Sequence, residues 1–488
     1  MNSVTAATPD KPDAAVRRLA DVDGPSGWPF IGNLAQIELP HMHERLERWA
    51  AEHGPTYRIR LGRRNVLVIA RPDSVLGLLR DRPSTWRRMQ HMQTVIREIV
   101  FGGDGLFSAE GDDWRRQRRL VMAAFDPAHL KNYFPLLVRD TQRLNGVLAE
   151  SARGGVAIDL QTVLMRYTVD VTAGLAFGAD LNTQQHPDNV LRGHLDRIFP
   201  MLMRRINAPF PWWRHFKLPS DREFDGHLSE VHAAVRGFVA QAHDRIARQP
   251  TLRVHPTNLL EAMIAAGDAA DGTLGEAELL SNVMTVLLAG EDTTANTLAW
   301  TLYLLHQNPH AWHDLVSEVD ATLGPDRWPS TFEAARGLDS IERCCHESMR
   351  LRPVAPLFFM ENNHDTVLDG VALPEGTMVI CLMRNRALDA GHADASEFRP
   401  GRWAQQVEPA DRSVLKASMP FGAGPRTCPG RYLAMLEMKM VLATLARNFE
   451  LVGVGTDDGA PPQERLAFTM FPVGLRMKLR ERRPQVGL

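Results

Sequence analysis

A mainly helical protein with a small β region, an α+β fold built as one large domain, is what this sequence predicts. Three observations carry the prediction. Apolar residues recur at spacings of three and four through most of residues 127–308, the period of helices that bury one face. Short strand-like runs are confined to residues 56–69, 353–382 and the end of the chain. No regular strand–helix alternation, internal repeat or Gly/Ser-rich linker divides the chain, so a Rossmann fold, a barrel and a solenoid are all disfavoured.

The elements follow in order. Residues 1–23 mix Ala, Asp, Lys and Arg and are expected to form a flexible tail, leaving residues 24–488 as the folded domain. The Pro/Gly-rich stretch Gly24 to Asn33 leads into a helical pattern. Residues 56–69 alternate as a hairpin that turns over Gly62 to Asn65. The long helical middle is broken at residues 208–221 and 266–276, then Leu279 to about Gln307 forms a largely apolar, buried helix. Residues 398–418 are irregular, a helix runs from Gly430 to about Asn448, and a strand pair closes the chain after Phe468.

With 488 residues, 44% hydrophobic and 23% charged, the chain has the length and composition for a large core. A formal net charge of −2 gives no electrostatic footprint for nucleic acid. The N-terminus has neither the apolar run of a signal peptide nor a membrane span, so no transmembrane anchor and a cytoplasmic location are expected. Arginine far outnumbers lysine, the bias of a GC-rich bacterial genome. Four cysteines, two of them adjacent (Cys344 and Cys345), make neither a disulfide framework nor a zinc site, so each is judged singly.

Only Cys428 sits in a context with chemistry. The segment Phe421-Gly-Ala-Gly-Pro-Arg-Thr-Cys428-Pro-Gly430 places it in a Gly/Pro-rich loop just before a helix. Gly422, Gly424 and Gly430 allow conformations that a Cβ would oppose, so amides can point at the sulfur. The helix N-terminus adds positive potential, and both effects are expected to keep Cys428 deprotonated. A lone cysteine read without that context would be a buried, inert one.

A second polar interruption lies inside the apolar helix, at Ala289-Gly-Glu-Asp-Thr-Thr294. Thr293 can return its hydroxyl to the Ala289 carbonyl four residues back, and Gly290 removes a side chain where a flat cofactor could approach. By itself Thr293 could equally be a helix-bending residue. Glu347 and Arg350 stand three apart on one helix face, where carboxylate and guanidinium can meet. Trp114 and Arg118 stand four apart and can address one ligand, or lie on a solvated basic helix.

Together these segments resemble the cytochrome P450 superfamily, in its soluble bacterial form, over all but the first ~20 residues. The cysteine loop matches Phe-x-x-Gly-x-Arg-x-Cys-x-Gly at Phe421, Gly424, Arg426, Cys428 and Gly430, and the helix matches Ala/Gly-Gly-x-Asp/Glu-Thr at Ala289, Gly290, Asp292 and Thr293. Glu347, Arg350 and Arg402 resemble the structural Glu-x-x-Arg triad, although Gly401 stands where the family usually has Glu. The resemblance implies haem b (iron protoporphyrin IX) with Cys428 as the axial iron ligand, whose thiolate favours O–O cleavage. It implies propionate contacts from Trp114, Arg118 and Arg426, and proton delivery through Asp292 and Thr293 to activated O2.

The same resemblance implies a hydrophobic small-molecule substrate above the haem, with Met89, Met92, Val95, Val286, Ala289, Val354, Leu357 and Met470 as candidate pocket residues. Electrons would come from NAD(P)H through a separate ferredoxin and ferredoxin reductase or a similar donor, because the chain carries no dinucleotide fingerprint. Arg115, Arg116 and Arg119 are expected on the face that docks an acidic donor. The stretch Pro209-Phe-Pro-Trp-Trp-Arg-His215 is read as a pocket lid in preference to a membrane contact. Peroxygenase, isomerase or dehydratase chemistry on the same scaffold, and non-catalytic haem binding, are the competing functions.

Overall fold

The central helix spans Glu276–Gln307, starting three residues before its expected N-terminus because the Glu278 carboxylate accepts from the Gly275 amide at 3.1 Å and caps the first turn. The computed structural model describes residues 16–482 apart from 126, 187–189, 196, 209, 270–273, 385–393, 405 and 407–408. Polar side chains inside this buried helix satisfy themselves locally: Thr285, Thr297 and Thr301 each return a hydroxyl to the carbonyl four residues back, at 2.7 to 2.8 Å. Around it pack the helices Leu160–Phe177, Pro219–Arg248, Asp339–Leu351 and Arg431–Asn448, the last starting and ending as the sequence predicts. Mainly helical, with a smaller sheet region and no division into units, the architecture is the predicted one.

The main sheet has five strands in the order Thr56–Leu61, Arg64–Ile69, Met378–Leu382, Leu357–Asn362, Trp86–Arg88. Arg64–Ile69 and Met378–Leu382 run parallel, and the other pairs are antiparallel. The N-terminal hairpin forms as expected, but with a tighter turn: Leu61 pairs with Arg64, leaving Gly62 and Arg63 at the tip, with Gly62 at φ +60°. Strand Trp86–Arg88 sits on the sheet edge and delivers Arg88 toward the helical layer, an element absent from the sequence prediction.

Two further expectations need correction. The last strands, Met470–Pro472 and Arg476–Glu481, do not pair with each other. The first pairs with Glu464–Leu466, and the second joins Phe449–Gly455 and Ile158–Asp159. Each strand finds a partner formed earlier in the chain, and the turn between them, at Val473 and Gly474, is exposed. The tail also begins its order early. Residues 1–15 lie outside the described residues, but Arg17 and Arg18 pair with Val371 and Ala372, and Val22 is buried in the core beneath the main sheet.

Candidate active site

The cysteine loop is locked from three sides. The Cys428 amide donates to the Phe421 carbonyl at 2.9 Å, and Arg118 Nη2 donates to the Thr427 carbonyl at 2.7 Å. Gly424 (φ +67°) lies so close to the helix Pro72–Arg80 that a Cβ would stand 2.5 Å from the Leu79 carbonyl oxygen, so only glycine fits. Gly430 does not need such freedom, with φ −82° and only ordinary contacts around its Cβ position.

Cys428 itself is half-buried. Burial pushes its thiol up from the ordinary cysteine value, opposed by a hydrogen bond from the Gly430 amide and by the charges of Arg118 and Arg431. This corrects the expectation that loop amides and the helix terminus suffice to hold a thiolate. In the protein alone desolvation outweighs them, and a cation at the sulfur is what would fix the charged form. Cys344, Cys345 and Cys381 are fully buried, and burial raises all three.

On the central helix, Thr293 Oγ1 donates to the Ala289 carbonyl at 2.9 Å, as its spacing predicts. Most of this helix is buried, yet Ala289 is exposed and Val286 and Thr293 are half-buried, a stripe at i, i+3 and i+7 that keeps accessible surface. Gly290 serves another purpose than expected. A Cβ there would lie 2.4 Å from Thr172 Oγ1 of the helix Leu160–Phe177, so the missing side chain allows close helix packing and not cofactor approach.

Asp292 turns away from Thr293. Its carboxylate accepts from Asn296 Nδ2 at 2.6 Å and from the Thr469 hydroxyl in the turn of the 464–472 hairpin.

Arg426 stacks over Trp114, with its guanidinium carbon 4.6 Å from the ring centroid, and donates to the Ala109 carbonyl and the Glu110 carboxylate at 2.5 Å each. Arg82 reaches the same carboxylate at 3.3 Å, and the Arg88 amide donates to it at 3.0 Å. Arg88 Nε donates to the Phe107 carbonyl at 3.1 Å while its guanidinium covers the Phe107 ring.

Three guanidiniums (Arg82, Arg88 and Arg426) thus crowd around Glu110, with Arg118 close to Arg426 of the cysteine loop. Burial pulls Arg426 down to about 9, with Arg82 and Arg118 pushing the same way against Glu110. Arg88 falls well below the ordinary guanidinium value for the same reasons. Among the described residues, Arg82 Nε and Arg426 Nε are buried without a hydrogen-bond partner. Such an uncompensated cluster fits a flat ligand that brings two carboxylates, as haem does, and Cys428 would be the residue to hold its iron. Arg88, Arg82 and Glu110 were missed in the sequence, although the Trp86-Arg-Arg88 run was a visible signal.

Arg88→Met is therefore expected to hasten haem loss about tenfold, roughly 1.4 kcal/mol, without unfolding the protein. Transfer of haem to apomyoglobin, with the thermal melt as control, measures it.

The triad assembles as predicted. Buried Glu347 accepts from Arg350 Nε and Nη2 at 2.9 Å each and from Arg402 Nε at 3.3 Å, and also from the Arg399 amide at 3.0 Å and Trp403 Nε1 at 2.9 Å. Gly401 is harmless there, since a side chain would meet open space. Of the basic residues assigned to a docking face, Arg116 is instead bound to Glu278, with Nη1 at 3.0 Å from a carboxylate oxygen, while Arg115 and Arg119 are exposed.

The candidate pocket residues divide. Ala289, Val286, Met89 and Val354 keep accessible surface, whereas Val95 and Met470 keep none and Met92 and Leu357 almost none, so the last four are core. Three aromatic residues not among these candidates form a cluster of their own. Phe468, at the hairpin turn, has its ring 5.9 Å from Phe107 and 5.6 Å from Phe199. In the aromatic stretch, position 209 lies outside the described residues. Trp213 is buried and donates to Glu98 of the helix Gln90–Ile99 at 2.8 Å.

Comparison with known proteins bears on the same residues. The family model described as Cytochrome P450 matches residues 22–479. The chain is 28% identical to pentalenene oxygenase of Streptomyces avermitilis over 468 residues, 94% of this chain and 97% of that one. It is 25% identical to cytochrome P450 94A1 of Vicia sativa over 452 residues, 88% of this chain and 85% of that one. A crystal structure of the cytochrome P450DA heme domain superposes with a TM-score of 0.82 at 24% identity, covering 97% of this chain and 100% of that one, which shows the shared fold.

Proposed function

The chain belongs to the cytochrome P450 family, a family of haem monooxygenases, and on that premise we propose that it hydroxylates or epoxidises a hydrophobic small organic molecule using O2 and electrons from a separate donor. Haem b, when held through Cys428, supplies the iron at which O2 is activated. The observation that carries the substrate class is the apolar, accessible stripe of Val286 and Ala289 beside Thr293, with Phe107, Phe199 and Phe468 clustered nearby. Such a surface offers little for a charged substrate to pair with and suits burial of apolar area.

Thr293 places a hydroxyl on the open face, and Asp292, the preceding residue on the helix, whose carboxylate is held by Asn296 and Thr469, is the acid proposed to relay protons toward it. Arg82, Arg88, Arg118 and Arg426 would hold the carboxylate edge of the haem and offset its charge. The donor completing the proposal is a ferredoxin with its NAD(P)H-dependent reductase, docking where Arg115 and Arg119 are exposed, in the cytoplasm of a bacterium. The stretch around Trp212 and Trp213 is a lid, supported by the bond of Trp213 to Glu98. Among the described residues no helix is long and apolar enough to cross a membrane.

The test is a screen of apolar compound classes for displacement of the iron-bound water, followed by turnover with a ferredoxin and reductase pair. Substrate-dependent consumption of NAD(P)H and O2 with an oxygenated product is expected. Carbon monoxide binding without any such consumption would identify a non-catalytic haem protein, and turnover driven by peroxide alone, with no gain from the reductase, a peroxygenase.

A further inference from the structure

Asp292 and Thr293 are neighbours in sequence, yet their side chains leave the central helix about 100° apart. Thr293 faces the open stripe, while Asp292 is only 8% exposed and faces the 464–472 hairpin. There a closed ring of hydrogen bonds forms. Asn296 Nδ2 donates to Asp292 Oδ1 at 2.6 Å and to Thr469 Oγ1 at 3.2 Å, and the Thr469 hydroxyl donates onward to Asp292 Oδ2. Gln161 Nε2 fixes the far side of Asn296 by donating to its Oδ1 at 2.9 Å. Thr469 and Asn296 are both buried, so neither bond is exchanged with bulk water.

The residue before Thr469 is Phe468, whose ring lies in the aromatic cluster with Phe107 and Phe199. The turn that carries both residues is tight, with the Ala467 amide donating to the Thr469 carbonyl at 3.0 Å. Behind it the Met470 amide is anchored to the Val354 carbonyl at 2.8 Å. Phe468 and Thr469 share a peptide, so a ligand that presses the Phe468 ring against this tight, anchored turn can shift the Thr469 hydroxyl with it.

We propose that Thr469 is a positioning residue that holds Asp292 away from the reaction site, and that Phe468 couples this hold to the contents of the pocket, so that seated substrate releases the acid. This rests on the monooxygenase reading above. Productive turnover converts R–H, O2, two electrons and two protons into R–OH and water, while the leak converts O2, two electrons and two protons into hydrogen peroxide. Both draw the same electrons from the reduced donor. Holding the acid back until substrate arrives slows proton delivery, and therefore oxygen reduction, in the empty enzyme.

Holoprotein is assayed without substrate, with a ferredoxin, its reductase and NADPH, in H2O and D2O. Thr469→Val is expected to raise substrate-free NADPH oxidation about tenfold and to shrink its solvent isotope effect toward 1. Thr469→Ser should return both to within about twofold of wild type. Phe468→Ala should act like substrate, raising the same rate with Thr469 intact. Wild-type rate and isotope effect in Thr469→Val, with its carbon monoxide spectrum unchanged, would overturn the proposal. Should Thr469→Val fail to fold, the same two readouts in Phe468→Ala decide it.

A readout without turnover separates this failure from that of the monooxygenase reading. Hydrogen–deuterium exchange of residues 289–297 should rise severalfold in Thr469→Val, with Thr469→Ser close to wild type, whether or not the wild type consumes NADPH. Unchanged exchange sinks the clamp, and a wild type that is inert with every donor sinks the function.

Discussion

Cys428→His is expected to abolish the red-shifted Soret band of the reduced, carbon-monoxide-bound protein and to replace it with a histidine-type band, while wild type shows the thiolate form. The loop that presents residue 428 does not depend on the sulfur. It is held by the Cys428 amide on Phe421, by Arg118 on Thr427 and by the contact of Gly424 with Leu79, all of which survive the substitution. The variant should therefore still bind haem, which makes the spectrum diagnostic. Burial raises the Cys428 thiol above the ordinary cysteine value, so a cation at the sulfur is what would favour its charged form. Turnover should fall by on the order of 10³-fold or more, as when a group acting as a unit with its neighbours is removed. Thiolate-type bands in both proteins, or failure of wild type to bind haem, would remove Cys428 from the centre of the site.

What could be read in advance was local. The bond from Thr293 to Ala289 spans four residues, the pair of Glu347 and Arg350 spans three, and the cysteine loop is one short segment, so each leaves its trace in a few neighbouring letters. The partners that complete these groups come from far along the chain. Glu110 lies 316 residues from Arg426, and Thr469 lies 177 from Asp292, distances over which spacing carries no signal. The periodicity that marks Val95 and Met470 as inward-facing is the same for a core residue and a pocket residue, and only the packed neighbours distinguish them. Gly290 fails as a cofactor notch for the same reason, because Thr172 approaches it from a different helix.

The largest stability effect is expected from Glu347→Ala, well away from the reacting atoms. Its carboxylate is fully buried and accepts from two guanidiniums, a backbone amide and an indole, so truncation removes the shared acceptor; Arg402 keeps Asp411 and Arg350 keeps the Glu397 carbonyl, but the Trp403 indole and the Arg399 amide lose theirs. Removing one member of a buried ion pair costs about 3–5 kcal/mol, a large part of the ~5–15 kcal/mol that holds a domain folded. The loss reaches the cysteine through contacts. Trp403, released from Glu347, stacks on His346 at 4.7 Å, and His346 meets the edge of Phe421 at 6.5 Å, whose carbonyl holds the Cys428 amide. The protein should melt on the order of 5–10 °C lower, and its carbon monoxide complex should shift from the thiolate band to a degraded form. Glu347→Gln keeps the shape and two of the acceptor's bonds, so it should fall between the two. A Glu347→Ala protein that melts like wild type and keeps the full thiolate band would show that the cysteine loop stands without the triad.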